Sequence, residues 1–344
     1  MNSDLARGET TDEDDLRQLR DAVRGILGTA PVDATPGVDL EWRRSWTPLA
    51  ELGLTALCAP ERSGGFGFEV GAAVATAREL GAALHASPYA GLVTSAHVLG
   101  RAGDEQGAEV LAGLIAGDRV CAFGLVDPSR GVARLVDGAP DADALVLIEP
   151  SSGQFVLVTD PATWRVDPLA HAFDVTRACG DVVVAAGVGR ALTGPPSAGL
   201  LYRLLLSADA LGGVERVLER TVAYARNRIA FGRPIGAFQA VQHRLVDHTV
   251  AVRGMALAVT EAAGRLAAGA PDAERHVAIA ELAVTTGAVH VLHDLLQLTG
   301  AIGFTWEYGL HLYERRAHHD AHLAANPRAA VRSLAMVEGW PGAR

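Results

Sequence analysis

The sequence contains no lysine, so arginine supplies all 30 of its basic side chains. A lysine Schiff base and the phosphate-binding lysine of a P-loop are therefore excluded by composition. Acidic residues number 40, which gives a formal net charge of −10 at pH 7. A protein that binds nucleic acid or a membrane surface through charge carries a basic face, and this balance argues against both partners.

Cysteine is also scarce, with Cys58, Cys121 and Cys179 widely spaced and no C-x-x-C pair. This pattern predicts neither a disulfide framework nor a zinc site, and it is typical of a reducing compartment. The first residues are acidic, unlike a signal or transit peptide. No uninterrupted apolar run reaches the roughly 18 residues that span a bilayer. The sequence therefore predicts a cytoplasmic protein without a membrane partner.

Hydrophobic periodicity predicts an α+β fold that is mostly helical, in three domains. Residues 1–119 form an N-terminal helical domain, residues 120–194 a small central β-domain, and residues 195–344 a C-terminal four-helix bundle. The strands of the β-domain are predicted in CAFGLV, DALVLIE, QFVLVTD and GDVVVAAG. The bundle helices are predicted at 197–226, 238–268, 271–298 and 306–319, with Ser197 as the first N-cap.

The connection between the first two bundle helices carries the clearest chemical signal. Residues 226–242 read RNRIAFGRPIGAFQAVQ, in which Gly232, Pro234 and Gly236 interrupt the helical pattern. Arginine forks beside a new helix N-terminus suit a diphosphate, because both supply positive potential and hydrogen-bond donors. An ordinary interhelical turn with solvated arginines is the alternative.

Four segments, together with this order of domains, resemble the acyl-CoA dehydrogenase family. The first is RIAFGRPI followed by Phe238 and Gln239, and the second is QLTGAIGF, similar to the family's Q-x-x-G-G-x-G with Ala301 in place of the middle glycine. The third is PERSGGFG at 60–67. The fourth is LVDP at 125–128, where the family has L-T-E-P.

The resemblance implies an FAD cofactor that lies across a subunit interface. In the family, the C-terminal bundle of one subunit holds the adenine-diphosphate half, and the β-domain of its neighbour contacts the isoalloxazine half. The residues that the resemblance assigns to the diphosphate half are Arg228, Phe231, Gln239, Gln297, Gly300 and Gly303.

The catalytic base of the family is missing from the sequence. The family's reaction removes an α-proton from an acyl-CoA, normally with a glutamate, and passes the β-hydrogen to flavin as hydride. The two positions where the family places that glutamate hold Tyr202 and Ala324 here. On the flavin side, Val126 replaces a threonine that contacts the ring, and valine has no donor.

These losses indicate a subunit that resembles the base-lacking smaller chain of bacterial α2β2 acyl-CoA dehydrogenases. The resemblance implies an acyl-CoA substrate from fatty acid or sterol side-chain β-oxidation, a catalytic partner subunit of the same family, and a separate electron-transfer partner. One alternative is a self-sufficient homo-oligomer with a displaced acid such as Asp320 as its base. A second is a scaffold subunit that binds no flavin.

Two other chemical candidates are weaker. Tyr202 as a base is a poor match for neutral pH, because a phenol has a reference pKa of about 10. His318 and His322 have the i, i+4 spacing of metal ligands, but no neighbouring carboxylate or cysteine completes a set in sequence. No metal site is therefore predicted.

Overall fold

This computed structural model describes residues 13–28, 42–127, 129–150, 152–169, 172–324 and 327–340. Five helices occupy its N-terminal third: α1 Glu13–Leu27, α2 Trp42–Glu51, α3 Val70–Ala82, α4 Tyr89–Ala102 and α5 Glu105–Ala116. Helices α3 and α4 are buried almost all round, which explains their apolar composition. Helix α5 begins where the Asp104 carboxylate accepts a hydrogen bond from the Gly107 N–H at 2.7 Å.

A seven-stranded sheet follows these helices. Its strands are β1 Cys121–Asp127, β2 Val132–Asp137, β3 Ala144–Ile148, β4 Phe155–Val158, β5 Trp164–Pro168, β6 Cys179–Val184 and β7 Arg190–Leu192. Their spatial order is β5-β6-β2-β1-β3-β4-β7, and only β1 and β3 pair in parallel. The four predicted strands are confirmed as β1, β3, β4 and β6. Strands β2, β5 and β7 were not predicted, because arginine, aspartate or proline interrupts their apolar pattern.

The C-terminal part is helical again. Its long helices are α6 Ser197–Asn227, α7 Gln239–Ala267 and α8 Ala273–Thr299, followed by α9 Leu310–Leu323 and α10 Pro327–Val337. Helix α10 was not predicted. The mostly helical α+β architecture is confirmed, and all three cysteines are free and buried.

One predicted helix cap and one predicted helix start in the bundle are wrong. Ser197 does not cap α6: it is the first helical residue, and its Oγ lies 2.8 Å from His97 Nε2, a contact between the bundle and α4. Helix α9 begins at Leu310 rather than at 306. The 3₁₀ segment Gly300–Phe304 and the left-handed Gly309, with a φ of 69°, hold the preceding backbone out of an α-helix.

Helices α3 and α6 cross at very close range. A Cβ on Gly81 would lie 2.0 Å from the Asp209 carbonyl oxygen, and one on Gly212 would lie 1.9 Å from the Arg78 carbonyl oxygen. Only glycine permits this approach, which joins the N-terminal helices firmly to the bundle.

The segment Ala273–Phe304, which contains α8, is long and apolar enough to cross a membrane by length and composition alone. Half of its most apolar window is buried inside the protein. A core helix of a helical bundle has the same properties, and α8 packs against α6 and α7 in this way.

Candidate functional site

The predicted helix break between α6 and α7 forms a short β-hairpin. Its strands are β8 Ile229–Ala230 and β9 Arg233–Pro234, joined by Phe231 and Gly232, which both have positive φ, at 52° and 78°. Two consecutive positive φ values are typical of a tight hairpin turn. The Phe231 side chain at its tip is 95% exposed. A phenylalanine held in a strained conformation and fully exposed on the free chain is a strong sign of a contact partner.

The Arg228 guanidinium is exposed at the base of this hairpin, and no described residue forms an ion pair or side-chain hydrogen bond with it. The backbone beside it is fixed, because the Ile235 N–H donates to the Arg228 carbonyl at 2.8 Å. Arg233 stacks on the Phe238 ring at 4.1 Å, and the Phe231 and Phe238 rings meet edge to face at 6.2 Å. The hairpin is therefore ordered by its own contacts while Arg228 stays available to a ligand.

A second group of predicted site residues lies where α8 ends. Gln297 is exposed in its last turn, and Gly300 has a φ of 71° with open space where a Cβ would be. Gly303 is different: it is buried, and a Cβ there would lie 2.1 Å from Thr299 Oγ1. Internal packing explains the glycine at 303, whereas Gly300 presents its backbone to the surface.

Both groups lie at the same end of the bundle. Arg244 in the second turn of α7 donates through Nε to Asp294 Oδ2 at 2.8 Å, one turn before Gln297 on α8. The first turns of α7, which begin at Gln239, therefore lie beside the last turns of α8. In the same region Arg220 Nη2, near the end of α6, donates to the Tyr308 carbonyl at 2.6 Å.

One of the two positions where the family's base was sought, Tyr202, lines a cavity of about 300 Å³, and the other, Ala324, directly follows a residue that lines it. Tyr202 enters it from α6 and Leu323 from the end of α9, next to Ala324. Phe123 and Asp127 line it from β1, and the Phe123 and Tyr202 ring centroids are 4.8 Å apart. Positions more than a hundred residues apart in sequence thus face the same space.

Five ionisable side chains line this cavity: Asp127, Arg130, Arg134, Tyr202 and His322. Of these, neither Tyr202 nor Asp127 suits proton abstraction near neutral pH. Burial raises the pKa of Tyr202 well above the ordinary value for a phenol. Hydrogen bonds from the Ser129 side chain and backbone lower the pKa of the exposed Asp127 carboxyl, so its carboxylate is a weak base. Among the described residues that line the cavity, Asp127 is the only carboxylate.

Asp209 and Asp320, the acids nearest in sequence to the two expected base positions, are bound in a buried ion cluster. Arg177 donates to Asp137 at 2.6 Å and to both Asp209 and Asp320 at 2.9 Å. Arg316 also pairs with Asp209 at 2.9 Å. Burial is the first cause that raises the pKa of Asp320, ahead of the opposing effect of Arg177. Asp320 is buried, paired with Arg177 and absent from the lining of the cavity.

Sequence reasoning did not identify Arg177, Arg316 or Asp137. They come from the segment just before β6, from α9 and from the end of β2, and no local motif relates them. Their contacts join the β-domain, the C-terminal helices and the N-terminal helices. The link to the N-terminal helices is made by Arg316, which donates to the His85 carbonyl at 2.8 Å in the connection before α4.

The two histidines with metal-ligand spacing have other contacts. His322 Nδ1 lies 2.7 Å from the His318 carbonyl oxygen, and the His318 ring meets Phe173 edge to face at 5.8 Å. Within the part of the chain that the structure describes, no three His, Cys, Asp or Glu side chains are placed to hold a metal ion. The absence of a metal site stays a prediction.

Comparison with known proteins gives two family matches and close relatives. Residues 13–118 match the family model for the acyl-CoA dehydrogenase N-terminal domain, and residues 200–323 match the model for its C-terminal domain. Acyl-CoA dehydrogenase IpdE2 of Mycobacterium tuberculosis is 33% identical over 330 residues, covering 94% of this chain and 97% of the relative.

Two solved structures share the fold over almost the whole chain. The ChsE4-ChsE5 complex from Mycobacterium tuberculosis superposes with a TM-score of 0.80 at 27% identity, covering 96% of this chain and 99% of the matched one. A glutaryl-CoA dehydrogenase from Mycobacterium smegmatis in complex with FADH2 gives a TM-score of 0.78 at 20% identity, covering 97% and 96%.

Proposed function

Since the chain belongs to the acyl-CoA dehydrogenase family, we propose that it is a subunit of a cytoplasmic FAD-dependent acyl-CoA dehydrogenase that lacks its own base. Its C-terminal bundle binds the adenine-diphosphate half of an FAD whose isoalloxazine half lies against a catalytic partner subunit of the same family. The partner supplies the carboxylate that removes the α-proton of an acyl-CoA.

The observation that carries this proposal is the cavity between β1, α6 and α9. Tyr202, at one family position for the base, opens into it as a buried phenol, and the other position holds Ala324, a buried residue next to the lining residue Leu323. Base catalysis requires an accessible group whose pKa lies near the working pH. The Tyr202 phenol is too weak an acid to be ionised, and the Asp127 carboxylate is too weak a base.

The buried ion cluster argues against a self-sufficient homo-oligomer that uses Asp320 as its base. Use of Asp320 as a base would require it to leave Arg177 and reach the cavity. Removing one member of a buried pair leaves an uncompensated charge, which costs about 3–5 kcal/mol. The cluster therefore fits a structural role for Asp320.

The other end of the bundle has the features expected of a lent FAD site. Arg228 is unpaired among described residues, Gln239 and Gln297 are exposed, and Gly300 has open space beside its Cα. Arginine forks and side-chain amides match phosphate oxygens, and an exposed glycine lets backbone N–H groups approach them. These residues fit a diphosphate. The exposed Phe231 at the tip of the hairpin is available to contact the partner subunit. When bound, FAD supplies a hydride acceptor for the β-hydrogen of the acyl chain.

Exposed apolar side chains support assembly through the same region. Of 15 large hydrophobic residues that are exposed within the described chain, eight lie between Ile229 and Trp306. They occupy the hairpin, the outer face of α7 and the turn after α8: Ile229, Phe231, Val246, Val250, Leu257, Ile302, Phe304 and Trp306. Such a concentration on one region is typical of a subunit interface. The ChsE4-ChsE5 structure, a complex of two named chains, supports a partner that is not identical to this one.

Co-expression with a glutamate-bearing member of the family tests the proposal. We expect a yellow complex of both chains with one FAD per unlike pair, active with an acyl-CoA and an artificial electron acceptor. This chain expressed alone is expected to be colourless and inactive. A yellow, active protein purified without a partner would establish the self-sufficient alternative, and a complex that forms without flavin would establish the scaffold.

A further inference from the structure

A second cavity, of about 550 Å³, lies between α1, α3, α6 and α9. It is larger than the cavity at Tyr202, and none of the residues assigned to the FAD site lines it. Its volume is in the range of small-molecule pockets, about 300–1,000 Å³. We call it the arginine cavity, because five arginines and three glutamates line it: Arg20, Arg24, Arg78, Arg216 and Arg220 with Glu79, Glu215 and Glu219.

The glutamates neutralise only part of the positive charge. Glu79 is shared by two arginines: Arg24 binds it with both Nε and Nη2, at 2.6 and 2.9 Å, and Arg20 Nε lies 2.8 Å from it. Asp21 contacts Arg24 at 3.8 Å on the exposed side of α1 and does not line the cavity. One guanidinium charge in this group therefore has no carboxylate of its own within the cavity.

Arg220 supplies the second excess charge. It donates to the Tyr308 carbonyl at 2.6 Å, and its guanidinium lies 4.8 Å from the Tyr308 ring centroid. Both contacts orient the side chain without neutralising it, and no described carboxylate pairs with it. Arg78 pairs with Glu215 at 2.6 Å, yet its buried Nε finds no acceptor among the described residues. A buried donor without an acceptor is unfavourable unless a ligand or water completes it.

We propose that the arginine cavity binds a small dianion whose charges lie on oxygen atoms, either a phosphate or a dicarboxylate. Two excess guanidinium charges match two negative charges. The guanidinium forks offer paired donors to planar carboxylates and to phosphate oxygens. Arg78 is mostly shielded from water, so its attraction for an anion is stronger than at a fully solvated site. A bound dianion would link the N-terminal helices to the bundle.

Titration calorimetry and thermal unfolding of the full-length chain test this, with inorganic phosphate and succinate as separate probes and chloride at equal ionic strength as the reference. We expect one of the two anions to bind with 1:1 stoichiometry at millimolar concentration or below, and to raise the Tm. Phosphate binding identifies the phosphate class, and succinate binding the dicarboxylate class. If neither anion binds, or if chloride gives the same Tm increase, the proposal is overturned.

Charge variants locate the site. Arg220→Gln removes one of the two excess charges and is expected to weaken binding about tenfold or more, because a charge-assisted hydrogen bond is lost. Glu219→Gln, at an exposed position of the same wall, is expected to tighten binding severalfold. Arg165→Gln, an equivalent loss of charge on the distant strand β5, should leave the affinity unchanged.

Circular dichroism of each variant separates loss of binding from loss of folding. Even if Arg220→Gln were to unfold, Glu219→Gln would keep the proposal testable. Equal affinities in the wild type, Arg220→Gln and Glu219→Gln would overturn it. None of these measurements requires flavin or a partner subunit, so their outcome is independent of the proposed dehydrogenase function.

Discussion

Arg228 is the residue on which the proposed cofactor site depends most. Its backbone is fixed by Ile235, while its guanidinium is exposed and has no described partner. Arg228→Ala is expected to lower the flavin content of the co-expressed complex at least about tenfold, since hydrogen bonds to charged groups contribute about 1.5–3 kcal/mol. Absorbance at the flavin maximum relative to protein measures this.

The matched control for Arg228 is Arg119→Ala. Arg119 is an exposed arginine of the N-terminal region, and it pairs with Glu109 on the surface. We expect this variant to keep full flavin content. If Arg228→Ala also kept it, the diphosphate would have to be held elsewhere.

Tyr202 provides the residue-scale test of the missing base. Burial raises the pKa of its phenol, so the hydroxyl stays protonated at neutral pH. Tyr202→Phe is expected to change the kcat of the co-expressed complex by less than about twofold, whereas loss of a general base costs about 10²–10⁴-fold. A fall in kcat of that size, with KM unchanged, would make Tyr202 a catalytic residue.

At the scale of single elements, the proposed assembly is expected to depend on helix α7. Its buried face carries His248, Val252 and Met255, while Val250 and Leu257 lie on the outer face, with Leu257 72% exposed. Substitution at an exposed helix position changes the stability of the free chain by no more than about 0.5 kcal/mol. Leu257 is therefore suited to separate assembly from folding.

Leu257→Asp is expected to dissociate the complex with the catalytic subunit, because it places a charge in an apolar contact. Light scattering coupled to size-exclusion chromatography measures the assembly, and thermal unfolding checks the free chain. Ala112→Asp, at an exposed position of helix α5 in the N-terminal region, is the control for added charge. A complex that survives Leu257→Asp with unchanged mass would remove the outer face of α7 from the interface.

At the scale of the whole molecule, the buried ion cluster links segments that are far apart in the sequence. Asp209 on α6 pairs with Arg177 from the segment before β6 and with Arg316 from α9. Asp209→Asn is expected to lower the free energy of unfolding by about 3–5 kcal/mol, because two buried guanidinium groups lose a shared counter-charge. Urea unfolding measures the loss.

The surface pair of Arg165 and Asp167 supplies the comparison for Asp209. Both side chains are more than half exposed, and exposed pairs contribute about 0–1 kcal/mol. Asp167→Asn is therefore expected to be nearly neutral. Similar effects of the two substitutions would mean that the Asp209 cluster does not stabilise the native fold.

Acid is expected to destabilise the protein through its buried histidines. Burial lowers the pKa of His97 to about 4, below the value of about 6.5 for an exposed imidazole. Between these two values the unfolded chain binds a proton that the folded chain does not, so stability falls as the pH drops from about 6.5 to about 4. Burial also lowers the pKa of His85 and His319 to about 4.

His97→Gln should flatten the dependence of Tm on pH across that window. The contribution of one histidine is at most about 1.4 kcal/mol per pH unit. His243→Gln, at an exposed position, should leave the slope unchanged. A slope that is the same in His97→Gln and the wild type would contradict a native His97 that stays neutral.

The sequence determined those features that depend on local chemistry. Hydrophobic periodicity predicted the long helices within a few residues, and the apolar runs predicted four strands. The motifs around Arg228 and Gln297 predicted the family, and the residues Tyr202 and Ala324 led to the prediction that the catalytic glutamate is missing, which stays a prediction. The domain boundaries after 119 and 194 and the six FAD-site residues stay predictions.

Only the tertiary structure decided features that depend on distant residues. It formed a hairpin with a positive-φ phenylalanine where the sequence predicted a helix break, because a two-residue turn satisfies the backbone between Arg228 and Ile235. It enclosed Asp320 in a cluster with Arg177, 143 residues away. Helix packing also brings the five arginines of the arginine cavity together from three helices. Long-range pairing of charges leaves no periodic trace in the sequence, so packing alone determines which arginines are neutralised and which remain free.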